Sequence, residues 1–262
     1  MLAKLFKYDM KFFGKFMLPF LIITVITSCL SRLMLELSSS YFIFKILYWT
    51  FIIIANTLII NSIFQIIIRI IIRFKSQVYG DESYLIHTLP VTRKEIILSK
   101  ILSGSLWLWI TILVAFFCIF IQYMLGNMEE IVNVIKIFAT IYQMNMNWMI
   151  ILFLLYIFFI FEWLLCMLLF SIELGHRKSD KKGLWSFIYA CIFFIITVLT
   201  NLIGVFGFSL FNPDMLTVFK TNEMPITLLQ PFFITFVILY FLYMIVYFTL
   251  CMKGIDKHLN VD

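Results

Sequence analysis

The sequence is poor in charge, since only 13% of its 262 residues are Asp, Glu, Lys or Arg, against about 25% in a typical soluble domain. Hydrophobic residues make up 63% of the chain, and its mean hydropathy is +1.06. This composition excludes a soluble globular protein and predicts an all-α, polytopic membrane protein. At about 20 apolar residues per span, the length allows six transmembrane helices and leaves no room for a sizeable soluble domain.

Residues that ligate metals or form disulfides are also scarce. The five cysteines lie inside apolar runs without a CxxC pair, which predicts small buried side chains and neither a disulfide framework nor a metal site. The three histidines are scattered outside the apolar segments. The Gly14–Lys15 pair lacks the upstream glycine and the following Ser or Thr of a phosphate-binding loop, so ATP hydrolysis by that route is excluded. We therefore expect no catalytic residue, no metal and no directly bound cofactor.

Six long apolar segments dominate the chain. The predicted spans are 17–36, 43–72, 100–125, 148–172, 185–208 and 230–252. In residues 1–16, lysines recur among apolar residues at near-helical spacing, which predicts an amphipathic helix on the membrane surface. The alternative is that this segment extends the first span.

Basic residues are distributed unevenly between the two sides of the membrane. If the N-terminus is inside, all but four of the 20 Lys and Arg residues also fall inside; the four are Arg32, Lys45, Lys136 and Lys220. The positive-inside rule therefore predicts that both termini and the polar segment 79–100 are cytosolic.

The polar segment from Tyr79 to Lys100 contains a strong helix-start signal. Thr92 and Glu95 fit a capping box, in which each side chain accepts a hydrogen bond from the other residue's backbone amide. Pro90 disfavours helical backbone just upstream. A helix is therefore predicted to begin near Arg93 and to run into the third span.

A second, shorter helix is predicted within the same segment. Asp81 is a candidate N-cap for a helix over about residues 82–88. Such a helix would present Tyr84, Leu85 and Thr88 to the cytosol. An exposed aromatic and an exposed aliphatic side chain on a short helix are suited to docking a water-soluble partner.

The run GDESYLIHTLPVTRKEIILSK resembles the cytosolic segment of ABC-2 type transporter permeases, whose bacterial members have a pattern like GDEGYL…LPVSR…SK between the second and third spans. The matching residues are Asp81, Glu82, Tyr84, Leu85, Leu89, Pro90, Val91, Arg93, Ser99 and Lys100. Ser83 stands where a glycine is common, and Ile86 and His87 replace more usual residues. The match covers about a tenth of the chain, while the predicted spans and inside termini agree with the family along its whole length.

The resemblance implies the permease subunit of an ATP-driven exporter in a bacterial plasma membrane, with the short helix as the coupling helix. It implies that this helix docks on a separate ATPase subunit, which would bind ATP and Mg. The implied docking residues are Asp81, Glu82, Tyr84, Leu85, Thr88, Pro90 and Arg93. The other expected partners are membrane lipid and a second permease, either a copy or a sister chain, and no nucleic acid is expected. The apolar composition favours an amphipathic or hydrophobic cargo, such as a peptide, an antibiotic or a lipid-like molecule.

Polar residues recur every four positions in the second span. Thr57, Asn61 and Gln65 form one slanted stripe, which Arg69 and Arg73 continue. Three interpretations remain open: a translocation path, an interface with a second permease, or hydrogen bonds between helices. The two arginines are expected to reach the inner lipid headgroups.

Glu162 is the one carboxylate deep inside a predicted apolar span. An unpaired charge at that depth is costly, so it must be protonated, paired or exposed to water. We include it among candidate residues of the path or permease interface. Two alternative functions are a non-transporting membrane anchor that recruits a cytosolic partner, and an intramembrane enzyme. The second is disfavoured because no His and no Asp lies inside a predicted span.

Overall fold

A computed structural model describes residues 2–38, 41–80, 92–124, 128–141, 145–211 and 226–258. All regular structure in these residues is helical. The helices are α1 (Leu2–Leu37), α2 (Phe42–Tyr79), α3 (Arg93–Ile119), α4 (Met128–Ile141), α5 (Met146–His176), α6 (Lys182–Phe211) and α7 (Ile226–His258). A π-helical turn, Phe120–Met124, continues α3.

The prediction of an all-α, polytopic membrane protein is confirmed. Among the described residues, six helices are long and apolar enough to cross a membrane. The exception is α4, whose 14 residues extend only about 21 Å. Five predicted spans each lie within one helix, and the third, 100–125, covers most of α3 and the π-helical turn, with residue 125 outside the described residues. Lipid offers no hydrogen-bond partners, so an apolar segment of this length satisfies its backbone by becoming helical.

The N-terminal segment is helical, as predicted, but it is not a separate helix. Residues 2–16 continue into the first span without a break, and α1 passes through Pro19. One line of buried side chains runs along the helix from residue 9 to residue 31 at a spacing of three or four: Asp9, Phe13, Met17, Leu21, Thr24, Ser28 and Ser31. This common face holds the two parts together. The N-terminal segment therefore follows the alternative prediction, in which it extends the first span.

The chain divides into two compact units, Met1–Ile131 and Val132–Asp262. In the first unit, α1 packs against both α2 and α3. Helices α2 and α3 also approach closely where Gly104 lies over Ile70, since a Cβ at residue 104 would be 3.1 Å from that side chain. Hydroxyl groups along α1 and α2 bond to carbonyl oxygens of the preceding turn, as in Thr24 to Leu21 at 2.7 Å.

In the second unit, α5 is the central helix and packs against α6 and α7. Aromatic rings fill these contacts. Phe170 of α5 stacks on Phe193 of α6 with centroids 5.3 Å apart, and Phe159 of α5 meets Phe241 of α7 at 5.1 Å. Ring contacts of this kind add to the stability that close packing provides between membrane helices.

Candidate functional site

A buried carboxylate joins the three helices of the first unit. Asp9 of α1 is 1% exposed. Its oxygens accept from Lys100 Nζ of α3 at 2.6 and 2.8 Å, and Oδ2 also accepts from Ser99 Oγ at 2.9 Å. From α2, Arg73 Nε donates to Oδ1 at 3.3 Å. One carboxylate thus binds both flanks of the polar segment, the end of α2 and the start of α3.

The cations of this network are buried as well. Lys100 is 3% exposed, and the Arg73 side chain is 16% exposed. Arg73 also places its guanidinium carbon 4.3 Å from the centroid of the Phe12 ring, within cation–π range. The prediction that Arg73 reaches the lipid headgroups is therefore wrong: its charge is neutralised inside the unit. Removing one partner of a buried pair of this kind costs roughly 3–5 kcal/mol, because an uncompensated charge remains.

A further contact holds α3 against α1 at the residue that follows Asp9. Trp107 Nε1 donates to the Met10 carbonyl oxygen at 3.0 Å. Gly14 makes room for the indole, since a Cβ there would be 3.0 Å from Trp107 Cζ2. The start of α3 is therefore attached to α1 by a salt bridge, by hydrogen bonds and by an aromatic side chain.

The predicted capping box at the start of α3 is confirmed. Thr92 is the N-cap residue in extended backbone, and its hydroxyl accepts from the Glu95 amide at 3.3 Å. The Glu95 carboxylate accepts in turn from the Thr92 amide at 3.0 Å. Two otherwise unpaired backbone donors are satisfied in this way. The helix begins at Arg93, as predicted.

The remaining predicted docking residues, Asp81, Glu82, Tyr84, Leu85, Thr88 and Pro90, lie outside the described residues. The two ends of their segment are described. Helix α2 ends at Tyr79, whose ring meets that of the buried Phe74 at 6.3 Å, and Thr92 stands at the other end.

Sequence reasoning missed Asp9, although a signal was present. Asp9 is the one acidic residue among the first 35. It lies four residues before Phe13 and eight before Met17, on the face of α1 that faces α2 and α3, whereas Lys7 and Lys11 are exposed. A lone carboxylate on the apolar face of an amphipathic helix indicates a buried cation partner.

The polar stripe of α2 lies on the surface of the first unit. Thr57 and Asn61 are exposed, and Gln65 is half-buried. The Thr57 hydroxyl donates to the Ile53 carbonyl oxygen at 2.7 Å and is satisfied within its own helix. Neither primary amide, of Asn61 or of Gln65, makes a hydrogen bond to a described residue. Both donate and accept, and both lie in the middle of a span where water is scarce.

The surroundings of the stripe are apolar. Side chains next to it on the surface of α2 are between 46% and 62% exposed: Ile53, Ile54, Ile60, Phe64 and Ile68. At the end of the stripe nearer the C-terminus of α2, Arg69 places its guanidinium carbon 4.3 Å from the Phe16 ring centroid on α1. Among the described residues, the two amides are thus isolated polar groups on an apolar helix face.

Glu162 belongs to the second unit and lies in α5, where it is 5% exposed. It is not without an interaction partner in the chain. The neighbouring face of α5 carries an aromatic cluster, in which Trp163 meets Tyr240 of α7 with centroids 5.4 Å apart. Asn201 of α6 joins the cluster by accepting from the Tyr243 hydroxyl at 3.2 Å. Glu162 is therefore a group buried within the second unit, whereas the stripe of α2 belongs to the first.

Glu173, a third buried carboxylate, was missed as Asp9 was. It lies near the end of α5, is 2% exposed, and accepts through Oε1 from Arg177 Nε at 3.1 Å. Its Oε2 has no hydrogen-bond partner among the residues that the structure describes. The i, i+4 spacing of Glu173 and Arg177 would have predicted this pair.

Comparison of the chain with protein-family models, with curated proteins and with solved structures gives no match.

Proposed function

We propose that this chain is the permease subunit of an ATP-driven exporter of the ABC-2 type, located in a bacterial plasma membrane with both termini in the cytosol. The observation that supports this most directly is the network at Asp9. Ser99 and Lys100, two of the residues that carry the family resemblance, both bind this carboxylate. The same run of sequence supplies the capping box at Thr92 and Glu95.

The power source is a separate ATPase subunit, which binds ATP and Mg. It docks on the segment that precedes α3, with contacts from Asp81, Glu82, Tyr84, Leu85, Thr88, Pro90 and Arg93. The rigid start of α3 is suited to this role, because force applied at the segment passes directly into a membrane-spanning helix. The described flanks support the proposal, since a docking segment transmits movement only if its ends are held.

The stripe of α2 is the contact with a second permease. Two amides without a hydrogen bond to any described residue, lying among apolar neighbours, favour a dry helix–helix interface, whereas a water-filled path would be lined by further polar side chains. Asn61 and Gln65 each carry both a donor and an acceptor, so the stripe is complementary to itself across a two-fold axis. A second copy of this chain therefore satisfies both amides without any other partner.

The cargo is an amphipathic or hydrophobic molecule, such as a peptide, an antibiotic or a lipid-like compound. This part of the proposal is supported by the long apolar helices, whose exposed faces suit a molecule that enters from the lipid.

The experiment is a pull-down of the detergent-solubilised chain from its native membrane, with identification of co-purified proteins and an ATP hydrolysis assay. The test variant is Tyr84→Asp with Leu85→Asp. Tyr8→Asp is the matched control, because Tyr8 is 71% exposed on α1 and away from the docking segment in sequence. We expect an ATPase with the intact chain and with the control, and its loss with the double variant.

Absence of an ATPase from the pull-down of the intact chain would contradict the proposed function. Capture that persists in the double variant would contradict the docking segment and leave the ATPase partnership standing.

A further inference from the structure

Asp9 holds both flanks of the proposed docking segment at once. On one side, Arg73 binds it six residues before α2 ends. On the other side, Ser99 and Lys100 bind it within the first eight residues of α3. These contacts bridge sequence separations of 64, 90 and 91 residues. The contacts are therefore tertiary: they join three separate helices and do not arise from the hydrogen bonding within any one of them.

The carboxylate is shared so that neither flank moves alone. Oδ1 accepts from both Arg73 and Lys100, and Oδ2 accepts from both Ser99 and Lys100. Separating the ends of α2 and α3 would break a charge-assisted bond in a place that water does not reach. Such bonds are strong, and a buried charge left without its partner is costly. The network therefore acts as a clamp on the two flanks.

Asp9 is itself held in a rigid position. The Phe12 ring lies under Arg73, and the Met10 carbonyl accepts from the indole of Trp107. Phe13, one turn after Asp9, is fully buried against the neighbouring helices. These contacts distinguish the network from a surface ion pair, whose side chains exchange partners freely.

We propose that Asp9 is a positioning residue, which fixes the ends of α2 and α3 relative to each other and so sets the geometry in which the segment between them meets the ATPase subunit. The role in ATPase binding rests on the proposed function. The clamp itself rests on the contacts of Asp9, Arg73, Ser99 and Lys100.

The first test measures the affinity of the purified chain for the ATPase that is recovered with it. Asp9→Asn keeps the shape of the side chain and removes its charge, and we expect the Kd to rise at least about tenfold. Asp9→Glu restores the charge and should recover most of the affinity. Lys11→Gln is the matched control, because Lys11 is exposed on the same helix, and it should bind like the intact chain.

A second variant covers the case in which Asp9→Asn does not fold. Asp9→Leu with Arg73→Met and Lys100→Met replaces the three charged members of the network by apolar side chains, which often preserves or improves stability. We expect this triple variant to elute as a single species and to unfold near the temperature of the intact chain. Its ATPase binding should nevertheless be at least about tenfold weaker, because the flanks are no longer clamped.

The clamp can be tested without any ATPase by measuring the distance between spin labels at residues 75 and 102. The labels are placed in a background with the five native cysteines replaced. Lys75 on α2 and Leu102 on α3 are both exposed. We expect a narrow distance distribution in the otherwise intact chain and a broader one in the triple variant.

A folded triple variant that binds the ATPase as tightly as the intact chain, or an unchanged label distribution, overturns the role of Asp9. If the intact chain captures no ATPase, the proposed function is wrong, and so is the role of Asp9 in positioning the segment for an ATPase. The label distances separate the two failures, since they report on the clamp without any ATPase.

Discussion

Gly254 of α7 lies against the carboxylate of Glu173 of α5, so closely that a Cβ at residue 254 would collide with both carboxylate oxygens. The carboxylate cannot withdraw freely, because its Oε1 is bound to Arg177 and the side chain is buried. The missing side chain at residue 254 therefore allows α5 and α7 to pack around a buried charge. Neither residue was singled out by the sequence pattern.

We predict that Gly254→Ala destabilises the protein by about 1–3 kcal/mol, the usual cost of overpacking a closely packed site. The measurement is the thermal unfolding midpoint of the detergent-solubilised chain. Gly207→Ala in α6 is the control, since among the described residues no atom outside its own helix backbone and chain neighbours lies within 4 Å of its Cβ position. There, alanine should be neutral or slightly stabilising because it favours the helix. Equal midpoints for both variants and the intact chain would show that Glu173 moves away at no cost.

The capping box leads to a second prediction. Thr92→Ala removes the acceptor of the Glu95 amide and should destabilise the start of α3 by about 1 kcal/mol. Hydrogen exchange of the backbone amides in residues 93–96 should become faster. Thr50→Ala in α2 is the control, because that hydroxyl donates to the Leu47 carbonyl within its own helix and caps no helix start. Unchanged exchange at the start of α3 would mean that tertiary contacts alone hold this helix end.

A third prediction concerns the hydrogen bond from Gln122 Nε2 to Ser28 Oγ, at 2.9 Å between buried residues. Ser28→Ala leaves the Gln122 amide buried without this partner, so the free energy of unfolding should fall. Combining it with Gln122→Leu should cost less than the sum of the two single changes. The expected coupling is about 0.6 kcal/mol and at most about 1.7, the range found between membrane helices. Strict additivity in the double-mutant cycle would remove any energetic role for this bond.

The fourth prediction tests the proposed permease interface. Asn61→Leu with Gln65→Leu should reduce co-purification of two differently tagged copies of the chain, because the amides would no longer bond across the dimer. Ile60→Leu with Phe64→Leu is the matched control, since both residues are exposed and apolar on the same stretch of α2. Undiminished co-purification together with a loss of export would show that the stripe lines the translocation path instead.

The positions of the six spans and the start of α3 were predictable from the sequence because both depend on local chemistry. In lipid, a single apolar segment pairs its backbone N–H and C=O groups by forming a helix, whatever its neighbours are. A capping box satisfies backbone amides within four residues, so Thr92 and Glu95 alone were enough to predict the start of α3. The same holds for the exposed lysines of α1, whose spacing marks the solvent face of that helix.

The partners of the buried charges were not predictable in this way. The sequence predicted that Arg73 reaches lipid headgroups, because its own segment of the chain offers it no carboxylate. Its partner Asp9 is 64 residues away in sequence, and Lys100 is 91 residues from Asp9. Similarly, the surface helix expected over residues 1–16 became part of α1 because α2 and α3 cover its apolar face.

By itself, the sequence determined that this is a polytopic all-α membrane protein, where its spans lie, and where α3 begins. Only the tertiary structure decided that α1 is continuous from Leu2 to Leu37, that Asp9 joins both flanks of the polar segment, and that the amides of α2 face outward. The physical reason is the range of the interactions involved. Helix formation in lipid is satisfied within a few residues, whereas charge neutralisation and packing depend on which helices meet.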